Sequence, residues 1–294
     1  MNFLNLLLIC LISVILFSCE EQAFKEGRIF AGGQYVKAKT LNKGKQIYSE
    51  FCMPCHGING DGKGVASKGM RVPPRNFKLG LIKFGDVVSG ELPHDEEIYL
   101  TLKHGLNGTA MQPWDLTNGQ MHAVWSYIKT FSPKTWVGKD KKLGKKVTLK
   151  VDPFGLAHKK SAIKRGREVY HVVANCQSCH RAYVSQKDLA TMTKNLTGDD
   201  LGEEDNSIYS IKPQDSDHGY MTNPVEFTSD LVRSASKVSN LARRIACGVG
   251  GTAMPSWKET ISDNDIWAVA YYVKSLMDIR NDIDAKKQLM SKLK

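Results

Sequence analysis

Cys52-Met53-Pro54-Cys55-His56 lies in the first half of the 294-residue chain, and Cys176-Gln177-Ser178-Cys179-His180 repeats its pattern in the second half. When Cys-x-x-Cys-His is helical, its two thiols lie about one turn apart, so both reach the vinyl groups of one porphyrin. The adjacent imidazole then reaches the iron. The repeat predicts two covalently bound haems, attached through Cys52, Cys55, Cys176 and Cys179 and ligated by His56 and His180.

Two other chemistries use cysteine pairs at this spacing. A zinc site needs a second Cys or His pair at ligand spacing near each motif. A thioredoxin-like dithiol needs a βαβ frame. The sequence around the motifs offers neither. Of the seven cysteines, the remaining three are Cys10, Cys19 and Cys247, which leaves no disulfide framework.

A Gly-Thr-Ala-Met sequence follows each cysteine motif, at Gly108–Met111 and at Gly251–Met254, with a Trp three residues after each Met. Methionine is usually core filler, so the matched context is what singles out these two. Both loops are long enough to wrap to the far face of a haem, and Met111 and Met254 are predicted as the opposite axial ligands. Other candidate ligands without this context are Met70, Met221, His104, His218 and Cys247.

The two halves of the chain align through four landmarks in the same order. These are Gly44–Tyr48 with Gly166–Tyr170, Pro74–Phe77 with Pro224–Phe227, the two Gly-Thr-Ala-Met loops, and His122–Lys129 with Trp267–Lys274. Each half thereby resembles a class I cytochrome c domain. The resemblance implies an all-α fold of two tandem domains, each wrapped around one covalent haem, with its first and last helices packed across each other. Gly44 and Gly166 have no side chain to prevent that close approach.

The repeat sets the expected domain boundaries. Domain 1 covers residues 39–133, a Lys-rich linker covers 134–160, domain 2 covers 161–280, and a charged tail covers 281–294. Domain 2 carries an insertion at about 186–220. This insertion is acidic and polar around residues 199–205, which favours a solvated loop over a site.

Residues 3–17 form an apolar run that is too short to span a bilayer and predicts a signal peptide, residues 1–18. Leu16-Phe17-Ser18-Cys19 resembles a bacterial lipoprotein processing site, which implies lipidation of Cys19 and a polar tether over 19–38. The alternative is a short uncleaved membrane anchor, although a run this short would be mismatched with the hydrocarbon thickness of a bilayer. Either interpretation puts the rest of the chain outside the cytoplasm, on the periplasmic side of an inner or outer bacterial membrane.

The formal net charge is +11, and much of it lies in the linker. No nucleic-acid module accompanies it. The charge fits acidic redox partners in transient contact or a membrane surface, and it fits a merely solvated linker equally well. His/Met ligation leaves no open position on the iron, which predicts an electron carrier without a small-molecule substrate. The alternatives are a dihaem enzyme of the peroxidase or thiosulfate dehydrogenase type, with an open or differently ligated iron, and a haem subunit of a larger respiratory complex.

Overall fold

Two helical domains follow one another in residues 22–293, which are the residues that the computed structural model describes. The predicted signal peptide and Cys19 lie outside them. Domain 1 contains α1 (Ala38–Ile47), α2 (Asp95–His104) and α3 (Asn118–Lys129). Domain 2 contains α4 (Lys159–Glu168), α5 (Gln186–Thr197), α6 (Val238–Cys247), α7 (Asp263–Asp278) and α8 (Ile283–Ser291). The expected all-α class of two tandem domains is confirmed.

Shorter helical segments carry the two cysteine motifs. A π-helical turn (Tyr48–Cys52) and a helical turn (Met53–His56) continue α1. In the same place after α4, a π-helical turn (Val169–Val173) is followed by a 3₁₀ turn (Cys176–Ser178). Such widened turns occur frequently at functional sites. Further one-turn segments are Val65–Ser67, Phe77–Leu79, Pro133–Trp136 and Asn206–Tyr209.

In each domain the first helix crosses a later helix at a glycine, α1 crossing α3 and α4 crossing α7. A Cβ built on Gly44 would lie 2.0 Å from the carbonyl oxygen of Ala123, and one built on Gly166 would lie 2.0 Å from that of Ala268. Any side chain at these two positions would push the helices apart. The close approach predicted from the repeated glycines is therefore present in both domains.

The two C-terminal helices begin at side-chain caps. The Thr117 side chain accepts a hydrogen bond from the Gln120 N–H and the Gln120 side chain accepts one from the Thr117 N–H, which makes a capping box at the start of α3. The Ser262 side chain accepts from the Asp265 N–H at the start of α7. Among residues 22–293, no helix is long and apolar enough to cross a membrane.

The N-terminal segment differs from the predicted tether. An antiparallel hairpin of β1 (Arg28–Phe30) and β2 (Gln34–Val36) packs on domain 1. Phe30 is fully buried because its apolar ring packs in the core of domain 1. The backbone of Phe30 also forms a β-bridge with Val137. From the hairpin onward, the segment 19–38 is a folded part of domain 1.

The Lys-rich linker is likewise a folded strap. The Val147 N–H donates to the Asp86 carbonyl of domain 1 at 2.7 Å, and the Lys150 N–H donates to the Asp263 side chain of domain 2 at 2.9 Å. Trp136, at the start of the strap, is buried. The strap thus bridges the two domains, although its lysines predicted a solvated chain.

The insertion and the tail of domain 2 are also ordered. The insertion begins with α5, whose Leu189 is buried, and ends in a segment that touches domain 1 through His218 and Tyr220. The expectation of a solvated loop is therefore wrong for its C-terminal end. The tail forms α8, whose Leu289 packs against the apolar core of domain 2.

The two domains contact each other reciprocally. The Asn107 N–H of domain 1 donates to the Arg233 carbonyl at 3.0 Å, and the Gly250 N–H of domain 2 donates to the Lys83 carbonyl at 2.9 Å. Asn107 and Gly250 occupy equivalent positions in the two repeats, and so do Lys83 and Arg233. Each domain therefore presents its methionine loop to the same segment of the other, which is the pattern of an isologous interface.

Candidate haem-binding sites

An apolar cavity in domain 1 lies between the cysteine motif and the methionine loop. Cys52, Cys55 and His56 line it from the first part of the domain, and Met111 lines it from the last. Other residues along its wall are Phe51, Met70, Phe77, Ile98, Leu102, Trp114, Trp125 and Ile128. The predicted attachment and ligand residues of domain 1 thus surround one space.

The two motif histidines are oriented in the same way. His56 Nδ1 lies 3.1 Å from the carbonyl oxygen of Arg75, and His180 Nδ1 lies 3.0 Å from that of Val225. A carbonyl only accepts, so each Nδ1 carries the proton and donates it. This tautomer leaves Nε2 with a free lone pair, as a metal ligand requires.

An aromatic ring holds each imidazole in place. Phe77 stacks on His56 with ring centroids 4.5 Å apart, and Phe227 stacks on His180 at 4.9 Å. Burial lowers the pKa of His56 and of His180 below the usual value, which favours the neutral ring. A neutral imidazole is the form that ligates a metal.

The motif cysteines are unpaired thiols in apolar surroundings. Burial, followed by the neighbouring motif cysteine, raises the pKa of Cys52 to about 12. Burial is also the main cause that raises the pKa of Cys176 to about 12. These sites disfavour thiolates, whereas uncharged thioether sulfurs fit them without a desolvation cost.

The two methionine loops have the same hydrogen-bond pattern. The Met111 N–H donates to Thr109 Oγ1 at 3.1 Å, and the Met254 N–H donates to Thr252 Oγ1 at 3.3 Å. The carbonyl of Met111 accepts from the Leu106 N–H at 2.9 Å. This is why Gly-Thr-Ala-Met recurs: the Thr hydroxyl fixes the backbone of the Met two residues later.

A glycine that the sequence patterns did not single out shapes each loop. Gly105 and Gly248 end α2 and α6 with φ of 64° and 76°, a region that side chains rarely adopt. A Cβ on Gly105 would lie 2.5 Å from the Met111 carbonyl oxygen, and one on Gly248 would lie 2.8 Å from that of Met254. The sequence did contain a signal for them, because each glycine precedes its methionine by the same number of residues.

A tyrosine ties each motif to the helix before it. The Tyr48 hydroxyl donates to the Gly57 carbonyl at 2.7 Å, and the Tyr170 hydroxyl donates to the Arg181 carbonyl at 2.9 Å. Both acceptors directly follow the motif histidine. The two hydroxyls therefore hold equivalent points of the two sites.

The structure places the other candidate ligands in different parts of the molecule. Met70 lines the cavity of domain 1, and the side chain of Met221 is 55% exposed. Cys247 is buried at the end of α6, and burial raises its pKa to about 11. His218 Nδ1 lies 2.6 Å from the Arg75 guanidinium at the domain contact, so a second domain reaches the site of the first.

Comparisons with known proteins agree with this geometry. Residues 41–132 match the family model described as cytochrome c, and residues 161–273 match the model described as cytochrome c oxidase, cbb3-type, subunit III. No curated protein matches the chain. Among solved structures, a chain of the reducing HAO-like protein complex of Kuenenia stuttgartiensis is 29% identical, with a TM-score of 0.63, over 80% of this chain and 95% of that one.

The residues present fit the group that these families bind. Each domain offers a half-buried His whose Nδ1 donates to a backbone carbonyl, two thiols in the same motif and a methionine on a loop of fixed backbone. The cavity of domain 1 is bounded mainly by apolar side chains, as a porphyrin requires. The chain is a dihaem cytochrome c, built from two tandem class I cytochrome c domains with two covalently bound c-type haems.

Proposed function

We propose that this protein transfers single electrons between redox protein partners through its two haems. A haem held in each domain would supply a one-electron ferric/ferrous couple. The observation that carries the proposal is that both domains have a motif histidine and a methionine loop with the same backbone hydrogen bonds. An iron with both axial positions filled passes electrons and binds no substrate.

Each predicted residue has a definite role in this proposal. Cys52 and Cys55 hold the first haem and Cys176 and Cys179 hold the second. His56 and His180 ligate from the motif side, where the backbone carbonyls on Nδ1 raise the basicity of the ligating nitrogen. Met111 and Met254 would be the second ligands of the two irons and would raise their reduction potentials.

A second candidate is a haem subunit docked on a larger oxidoreductase. One observation favours it: the similar chain of known structure belongs to an HAO-like protein complex, and the match covers 95% of that chain. The two candidates are compatible, since a docked subunit also passes electrons. We further propose that Cys19 carries a lipid and holds the protein on the periplasmic side of a bacterial membrane.

Reaction with small ligands separates the carrier from a dihaem enzyme. The reduced protein is expected to bind no carbon monoxide and to turn over neither hydrogen peroxide nor thiosulfate. It is expected to exchange electrons rapidly with a second cytochrome in stopped-flow measurements. Rapid carbon monoxide binding at either haem, or turnover of either substrate, would overturn the carrier function.

A further inference from the structure

Three basic side chains border the cavity of domain 1. Arg75 and Lys83 belong to domain 1, whereas Arg233 comes from domain 2. None of the three forms an ion pair with a carboxylate of residues 22–293. Like charges beside an apolar cavity repel one another and are costly to desolvate unless an anion lies between them.

The charges of Arg75 and Arg233 act on Lys83. Burial, followed by the charges of Arg75 and Arg233, lowers the pKa of Lys83 to about 8. The three positive charges border the same cavity, and an anion placed among them would be stabilised by all three.

The insertion of domain 2 holds two of these cations in place. The Arg75 guanidinium donates to His218 Nδ1 at 2.6 Å, and His218 Nε2 donates to the Gly250 carbonyl at 3.1 Å. His218 is buried, so both of its nitrogens are satisfied without water. Lys83 Nζ lies 5.5 Å from the centre of the Tyr220 ring, a cation–π distance.

Domain 2 has no equivalent of Arg75 beside its own motif. The position equivalent to Arg75 is Val225, and the next position is Glu226 where domain 1 has Asn76. The Glu226 carboxylate accepts from the Tyr183 hydroxyl at 2.8 Å. Of the three cations, Arg75 is therefore the one that only domain 1 has, whereas Lys83 and Arg233 occupy equivalent positions in the two repeats.

We propose that Arg75, Lys83 and Arg233 form one anion-binding site for the propionate carboxylates of the haem in domain 1. Domain 2 completes that site through Arg233 and through the insertion residues His218 and Tyr220. Guanidinium groups bind carboxylates by paired, charge-assisted hydrogen bonds. The inference rests on the proposed attachment of a haem at Cys52 and Cys55.

The site has a consequence for the reduction potential. Reduction adds one electron to the haem, and a nearby positive charge stabilises the added charge. Removal of Arg233 is therefore expected to lower the potential of the haem in domain 1. Loss of the cation also leaves the propionates less strongly held in their ionised form.

The experiment compares Arg233→Gln and Arg233→Lys with a matched control, Arg243→Gln. Arg243 also joins the two domains, through an ion pair with Glu97 at 2.6 Å, but it does not line the cavity. Both midpoint potentials are measured by spectroelectrochemistry, and a Met254→Ala background separates the two haems. We expect Arg233→Gln to lower the potential of the haem in domain 1. Arg233→Lys keeps the positive charge and should leave this potential close to that of the unaltered protein. Arg243→Gln should leave it unchanged. Infrared redox-difference spectra should show shifted propionate bands for Arg233→Gln alone.

An unshifted potential in Arg233→Gln, or an equal shift in Arg243→Gln, would overturn the inference. If Arg233→Gln does not fold, as judged by circular dichroism and haem content, Lys83→Gln replaces it. Mass spectrometry of the tryptic peptide that contains Cys52 and Cys55 separates the two proposals. A peptide without haem refutes the attachment itself, whereas a haem-bearing peptide with an unshifted potential refutes only the anion site.

Discussion

Gly166→Ala should destabilise domain 2 strongly, although alanine favours helices. The new Cβ would lie 2.0 Å from the Ala268 carbonyl oxygen and 2.7 Å from the Tyr272 Cβ, so α4 and α7 would have to separate. Overpacking typically costs about 1–3 kcal/mol, and a clash this short with backbone atoms falls at the upper end of that range, whereas the better helix propensity of alanine returns about 1 kcal/mol. We expect a net loss of about 2 kcal/mol in the free energy of unfolding.

The assay is urea unfolding of the haem-loaded protein, followed by far-ultraviolet circular dichroism. Gly119→Ala is the matched control, because Gly119 is also helical but a Cβ there meets nothing within 4 Å. The control should be neutral or should raise stability by up to about 1 kcal/mol. If Gly166→Ala unfolds at the same urea concentration as the unaltered protein, the helix crossing is not what makes the glycine necessary.

Three further predictions address the ligands, the core and the pH response. Met254→Ala should lower the potential of one haem and open its iron to carbon monoxide, whereas Met221→Ala, at an exposed side chain, should change neither. Lys129→Met should cost about 3 kcal/mol in unfolding free energy, because it leaves the Asp95 carboxylate without its buried partner at 2.6 Å. Burial lowers the pKa of His171 to about 4, below the roughly 6.5 of an unfolded chain. The buried neutral imidazole therefore contributes fully to the free energy of unfolding above about pH 6.5. As the pH falls towards 4, this contribution is lost, and the free energy of unfolding decreases with a slope approaching about 1.4 kcal/mol per pH unit. His171→Gln should remove that slope in acid unfolding curves.

Much of each domain could be predicted because the same local chemistry occurs twice. The cysteine motif, the crossing glycine and the Gly-Thr-Ala-Met loop each act through neighbouring backbone, so their sequence spacing reports their geometry. Gly44 and Gly166 illustrate this, since both contact the equivalent carbonyl of the last helix. The backbone hydrogen bonds of Met111 and Met254 are likewise local.

The parts that sequence could not predict depend on contacts between distant segments. Phe30 reads as one aromatic residue in a polar stretch, and only the fold shows that it fills the core of domain 1. The lysines of the strap suggest solvent, but its backbone hydrogen-bonds to both domains.

The domain contact is the clearest case. His218 lies in an acidic insertion, and its partner Arg75 is 143 residues away in the chain. No periodicity or motif spacing reports a contact of this kind. Only the reciprocal docking of the two repeats brings the insertion to the cavity of domain 1.

Near-infrared magnetic circular dichroism of the ferric protein tests the central claim most directly, because the energy of the low-spin haem band identifies the axial ligands. The account predicts one band position, that of His/Met ligation, with an intensity that corresponds to both haems. A band of bis-histidine or His/Cys ligation, or a high-spin signal from either haem, would contradict it.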